Sequence, residues 1–204
     1  MFCHGIDLSG ASQQYSDLSE ERSVGYRDSG GPDLDKLLRT LSISPSDAVL
    51  DFGCGKAGAM LTLAKYPFAR VDGVELSPQL TQIGQQNLQR LRRSHTKIHC
   101  CDAAEFKDLD LYTYFYMYNP FSEVVMRSVM ENLVSSLKRR SRKVTVIYKN
   151  ALLGHLLVGA GLRKVAESRQ MHPYQSGSIY APFSIYVWDP AAKPTSLECL
   201  VGRD

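Results

Sequence analysis

The sequence has no apolar run near the roughly 20 residues needed to cross a bilayer as a helix, so no membrane-spanning helix is expected in it. It has little net charge: +3 over 204 residues does not by itself call for a nucleic-acid partner. The local exception, Lys138-Arg139-Arg140-Ser141-Arg142-Lys143, reads as a solvated helix end, with RNA contact as the alternative. Cysteine is sparse. Cys3, Cys54, Cys100, Cys101 and Cys199 form no CxxC pair and no metal-ligand spacing, so no disulfide framework and no metal centre are expected. Adjacent Cys100 and Cys101 on a strand would point to opposite faces, and the thiols are read as reduced, mostly buried small hydrophobes. There is no internal repeat, which excludes a solenoid. Met1 to Gly5 lacks the basic and apolar regions of a secretory signal, which fits a cytoplasmic location.

What is present suits one globular domain: 44% hydrophobic and 22% charged residues in a chain long enough to bury a core. Residues 1–32 are polar and weakly periodic and form an N-terminal arm or lid. A domain is expected over 33–190, with a surface tail at 191–204. Its first helix starts near Asp33, with Leu34, Leu37, Leu38 and Leu41 on one face.

Strands and helices then alternate. Val49 to Phe52 forms a strand and Ala59 to Lys65 a helix ended by Pro67. Arg70 to Glu75 is a second strand, and Ser77-Pro78 caps a helix running to about Arg93. Ile98 to Asp102 is a third strand and Leu111 to Tyr118 a fourth, broken at Asn119-Pro120-Phe121. A helix covers Ser122 to Leu137, a fifth strand Val144 to Tyr148, a short helix Leu152 to Val158 and a sixth strand Leu162 to Glu167. Phe183 to Trp188 is a seventh strand reached without a helix, so it must be antiparallel. The fold class is α/β, a doubly wound, mostly parallel seven-stranded sheet with an antiparallel last strand.

The segment Asp51-Phe52-Gly53-Cys54-Gly55-Lys56-Ala57-Gly58 carries the chemistry. Glycines at a strand-to-helix turn allow positive φ and let a ligand approach the backbone. The spacing Gly53-x-Gly55-x-x-Gly58 also fits a dinucleotide fingerprint, and a nicotinamide-dependent oxidoreductase is the rival enzyme. Asp51 weighs against that rival, because an acid just before the glycines suits a cation and repels a pyrophosphate. S-adenosylmethionine carries an ammonium and a sulfonium and no phosphate. Glu75, about 20 residues past the glycines, is placed to accept ribose hydroxyls, and Asp102 to reach an adenine amine.

With these motifs the chain resembles the class I, seven-stranded S-adenosylmethionine-dependent methyltransferases from about Asp33 to Trp188. Asp51-Phe52-Gly53-Cys54-Gly55 is similar to their first motif, Glu75 to their ribose-binding acid and Asp102 to their adenine-side acid. Tyr118-Asn119-Pro120-Phe121 resembles the [DN]-P-P-[YF] motif of amine and amide methyltransferases, with one proline in place of two. Its rhythm is also similar to that of lysine methyltransferases that lack a SET domain. The resemblance implies S-adenosyl-L-methionine as cofactor, held by Asp51, Gly53, Cys54, Gly55, Glu75, Leu76, Asp102, Ala103 and Asn119.

Methyl transfer to nitrogen is an in-line displacement that rests mainly on positioning. Asn119 Oδ1 is suited to accept hydrogen bonds from an amine, with Tyr118 as an aromatic wall. Pro120, Phe121, Tyr26 and Tyr174 are the expected substrate contacts. The expected partner is a protein, peptide or small-molecule amine. Two alternatives remain: an O-methyltransferase with His172 as general base, and a cofactor-binding module without transfer activity.

Overall fold

Val49, Leu50 and Phe52 are all buried, as a strand covered by helices on both faces requires. The computed structural model describes residues 5–9, 28–92, 94–168 and 181–192. Its elements are α1 (Pro32–Leu38), β1 (Ala48–Phe52), α2 (Gly58–Leu63), β2 (Arg70–Glu75), α3 (Pro78–Arg90) and β3 (Thr96–Cys100). After a 3-10 turn at Leu109–Leu111 come β4 (Tyr114–Tyr118), α4 (Glu123–Arg139), β5 (Val144–Lys149), α5 (Gly154–Gly159), β6 (Arg163–Glu167) and β7 (Phe183–Trp188).

The strand order is β3-β2-β1-β4-β5-β7-β6. Strands β1 to β5 pair in parallel, and β7 runs antiparallel to both β5 and β6. The expected sheet, with its antiparallel seventh strand, is the one found. Alternation along each strand divides the core in two. Leu50, Phe52, Phe115, Met117, Val146 and Tyr148 pack with α4 and α5. Val49, Val71, Tyr116 and Ile147 pack with α1, α2 and α3.

Local interactions move several boundaries. β3 ends at Cys100 and not at Asp102: Cys101 donates a last rung to the Glu75 carbonyl, and the Asp102 carboxylate then accepts from Ala104 N at 2.9 Å, turning the chain. Cys100 is exposed and Cys101 half-buried, because β3 is an edge strand; only Cys54 of the described thiols is buried. Cys3 and Cys199 lie outside the described residues. β4 starts at Tyr114, since residues 109–111 are wound into the 3-10 turn.

The basic run holds that turn in place and is more than a solvated helix end. Arg142 donates to the carbonyls of Leu109 and Tyr112 at 2.7 and 2.8 Å, and Arg139 forks onto Asp110 at 2.9 and 3.2 Å. α5 begins at Gly154 because tight backbone bonds occupy Leu152 and Gly154. β5 runs one residue further than expected, to Lys149. Among the described residues no helix is long and apolar enough to cross a membrane, and no His, Cys, Asp and Glu group could hold a metal.

Candidate active site

The strand order reverses between β1 and β4, so the carboxyl ends of these strands flank the crevice where doubly wound sheets take ligands. Registered residues of neighbouring strands share a face. Asp51 pairs with Gly73 of β2 and Tyr116 of β4, Tyr118 pairs with Lys149 of β5, and Lys149 pairs with Phe183 of β7. Glu75 lies two residues past Gly73. Glu75, Asp51, Tyr118, Lys149 and Phe183 therefore form one row along this edge, on the side of α1 to α3.

The glycine loop sits over the acidic end of the row. Gly53 and Gly55 have φ of 70° and 52°, in the left-handed region that glycine tolerates. A Cβ on Gly53 would lie 2.6 Å from Pro120 Cβ, so the loops after β1 and β4 are in contact. Glu75 clasps the loop: one carboxylate oxygen accepts from Gly55 N at 2.8 Å and the other from Ser77 N at 2.8 Å. Cys54 is buried against Gly73, where a Cβ would come within 2.5 Å of its Sγ, and presents only backbone to the edge. Leu76 is half-exposed beside Glu75.

Three acids meet here, and Asp51 is the least compensated. It is 2% exposed and, among the described residues, has no hydrogen-bond or ion-pair partner. Burial pushes its carboxyl well above the ordinary range, and the charges of Glu75 and Asp28 push the same way. Burial also raises Glu75, opposed by its bonds from the amides of Ser77 and Gly55. Asp28 is the acid that sequence reasoning misses. Its carboxylate accepts from Gly30 N and presses on Gly58, where any Cβ would collide with it. It falls in an aperiodic polar stretch with no motif around it, so nothing local marks it. Asp102 is set beyond β3, with Ala103 buried beside it.

At the other end of the row Tyr118 is half-buried and Asn119 takes φ of 42°. Asn119 Oδ1 accepts from the Tyr148 hydroxyl at 3.3 Å, on the α4 side of the sheet. Burial pushes Tyr148 up to about 12, so its hydroxyl stays a donor. One lone pair of Oδ1 is thus engaged, and among the described residues nothing takes the other. Phe121 is 8% exposed, edge-to-face with Phe52 at 5.9 Å, so its ring braces the segment from the core and does not line an open cleft. Lys149 also escapes sequence reasoning, because the β-prone run that marks the fifth strand stops one residue short of it. Its Nζ lies 4.8 Å from the Tyr118 ring centre and 5.4 Å from that of Phe183. His172, Tyr174 and Tyr26 lie outside the described residues.

Residues 5–9 dock behind the glycine loop. Lys56, fully buried, donates to Asp7 Oδ2 at 3.0 Å and to the Ser9 carbonyl at 2.6 Å. Asn87 of α3 bonds both the amide and the carbonyl of Asp7, at 3.0 and 2.9 Å, as well as the Lys56 carbonyl. Asp7→Ala is expected to destabilise the protein by about 2 kcal/mol, read as a lower urea midpoint at unchanged slope. This is less than the ~3–5 kcal/mol of a fully buried pair, because the Asp7 side chain is 43% exposed and water screens it. Bonds from Ser9 and Lys56 hold the Asp7 carboxyl below its usual range. The contribution is therefore present above about pH 3.9, the unfolded value, and is lost as pH falls through the lower folded one.

Residues 49–140 match the family described as "Methyltransferase domain". No curated protein matches the sequence. Among solved structures, the chain is similar to precorrin-6y C5,15-methyltransferase from Geobacter metallireducens GS-15, at 13% identity and TM-score 0.59 over 84% of this chain and 95% of that one. It is also similar to an RNA methyltransferase from Salinibacter ruber in complex with S-adenosyl-L-homocysteine, at 15% identity and TM-score 0.55 over 83% and 97%. A third is geranyl diphosphate C-methyltransferase from Streptomyces coelicolor A3(2), at 15% identity and TM-score 0.52 over 77% and 76%. At such identities the shared feature is the fold. The acceptors named for these proteins differ in kind.

Proposed function

We propose, starting from the methyltransferase domain at residues 49–140, that this chain methylates an amino nitrogen of a protein, peptide or small molecule. The match over residues 49–140 and the acids around the glycine loop support a dependence on S-adenosylmethionine; the nitrogen acceptor is our reading. The observation that carries the site assignment is Asp51, a buried carboxyl with no partner among the described residues, beside two more acids and a glycine loop exposed at Gly53. A buried, unpaired acid costs free energy unless a ligand compensates it. The residues present fit a ligand with two cationic groups and no phosphate.

When bound, S-adenosylmethionine supplies an electrophilic methyl group. Asp51, Glu75 and the backbone of Gly53 to Gly55 would hold it, with Leu76, Asp102 and Ala103 beside its base. The Glu75 carboxylate already accepts from the amides of Gly55 and Ser77, and a carboxylate has further lone-pair positions for a hydroxyl. Tyr118 would wall the acceptor, and the free lone pair of Asn119 Oδ1 would turn an amine toward the transferred carbon. Pro120 and Phe121 fix that segment against Gly53 and Phe52. Favouring nitrogen is the amide oxygen itself: it accepts N–H bonds without needing to remove a proton.

Calorimetric titration with S-adenosylmethionine and with S-adenosylhomocysteine tests the reading. We expect micromolar affinity for both, corresponding to about −8 kcal/mol. Binding of a nicotinamide dinucleotide in their place would overturn it.

A further inference from the structure

We propose that Lys149 is the proton acceptor of this site, taking a proton from the ammonium form of the methyl acceptor so that its nitrogen lone pair becomes available. The inference rests on the nitrogen-acceptor reading above. In the step, the N–H bond of the acceptor ammonium breaks and its proton binds Lys149 Nζ. The freed lone pair then forms the N–C bond as the C–S bond of the sulfonium breaks, and that electron pair stays on sulfur. The product leaves as a methylated ammonium beside S-adenosylhomocysteine, so charge and atoms balance.

Position supports this first. Lys149 is the last residue of β5, registered with Tyr118 and on the same face as Asp51 and Glu75, at the carboxyl edge where the acceptor must meet the cofactor. Its amine is half-buried and, among the described residues, has no hydrogen-bond or ion-pair partner. It is held instead by two ring faces, Tyr118 at 4.8 Å and Phe183 at 5.4 Å. A lysine that only packed its stem would send its ammonium to water. Here the rings fix it next to the Asn119 segment, with its nitrogen still free to exchange a proton.

The surrounding charges set when it does so. The titratable groups facing it are Tyr118 on β4, Asp28 before α1 and Asp33 on α1. Burial pushes the Lys149 amine below its ordinary range, while Asp33 and Asp28 oppose the shift. A sulfonium arriving at the same edge adds a like charge, which disfavours the ammonium further. Cofactor loading would thereby deprotonate the base just before it is needed. S-adenosylhomocysteine lacks that charge and keeps the amino acid and nucleoside groups, so the two ligands isolate the effect.

Calorimetric titration of the full chain with each ligand, in buffers of different ionisation enthalpy across neutral to alkaline pH, reads the protons released on binding. We expect the wild type to release an extra fraction of a proton with S-adenosylmethionine over S-adenosylhomocysteine. That excess should vanish in Lys149→Met, which keeps the apolar stem, and in Lys149→Arg, which keeps a cation over the rings but does not titrate. Both variants should still bind both ligands. An excess that survives in either variant, or is absent from a wild type that binds both ligands, overturns the role of Lys149. Failure of the wild type to bind either ligand overturns the functional reading, and this inference with it.

Discussion

Asp51→Asn is expected to make the cofactor-free protein more stable at neutral pH while weakening its binding of S-adenosylmethionine. The amide keeps the shape of the side chain and removes a charge that is 2% exposed, without a partner among the described residues, and repelled by Glu75 and Asp28. The folded-state pKa of Asp51 lies above its unfolded value of about 3.9. The wild type therefore has the full benefit of this group below about pH 3.9 and loses stability as pH rises from there through the folded pKa. Asparagine does not titrate, so the variant lacks this slope. Its gain should be about 1–3 kcal/mol at neutral pH, the scale of burying an uncompensated polar group, and should disappear in acid. Affinity should fall roughly 10- to 100-fold, because a hydrogen bond to a charged partner contributes about 1.5–3 kcal/mol. Urea unfolding at two pH values and ligand calorimetry check both halves. A variant that binds the ligand as tightly as the wild type would show that Asp51 does not face its cation.

Glu75→Ala should damage folding and binding together. Removing the carboxylate strands the Gly55 and Ser77 amides, both now held at 2.8 Å, and frees the start of α3 from the end of β2. Two charge-assisted bonds at about 1.5–3 kcal/mol each, reduced by water that enters the space, give an expected loss of roughly 2–4 kcal/mol. Glu75→Gln keeps one acceptor oxygen for one of the two amides and should lose about half as much. Because Ala also slackens the glycine loop, lost ligand binding in that variant mixes two causes. Gln is the cleaner probe of the contact to the ligand. Thermal unfolding of both variants, each with and without S-adenosylhomocysteine, separates them. An unchanged melting temperature in Glu75→Ala would mean that the clasp carries no weight.

The fold does not name the acceptor. Structures at 12–18% identity share this sheet, and one of them is a [4+2]-cyclase, so the sheet alone does not specify the chemistry. In our reading, specificity belongs to the row at the carboxyl edge and not to the layers beneath it.

The sequence by itself determined the order of strands and helices, the antiparallel last strand and the glycine loop with its two flanking acids. These are local matters. A period of two or 3.6 in apolar residues, a Ser-Pro cap and glycines before a helix each leave their mark within about a dozen residues. Tertiary structure decided what depends on residues far apart in the chain. Asp28 reaches the site only because residues 28–30 pack on α2, where Gly58 has no Cβ to obstruct them. The basic run folds back on the 3-10 turn some 30 residues earlier, so its charge is partly spent on carbonyls and Asp110. Phe121, expected from sequence to touch the substrate, is drawn to Phe52 across the β1–β4 pair. Lys149 becomes part of the edge through its register with Tyr118 and Phe183, on strands 31 and 34 residues away on either side. Register and burial are set by the whole sheet, and no window along the chain contains them.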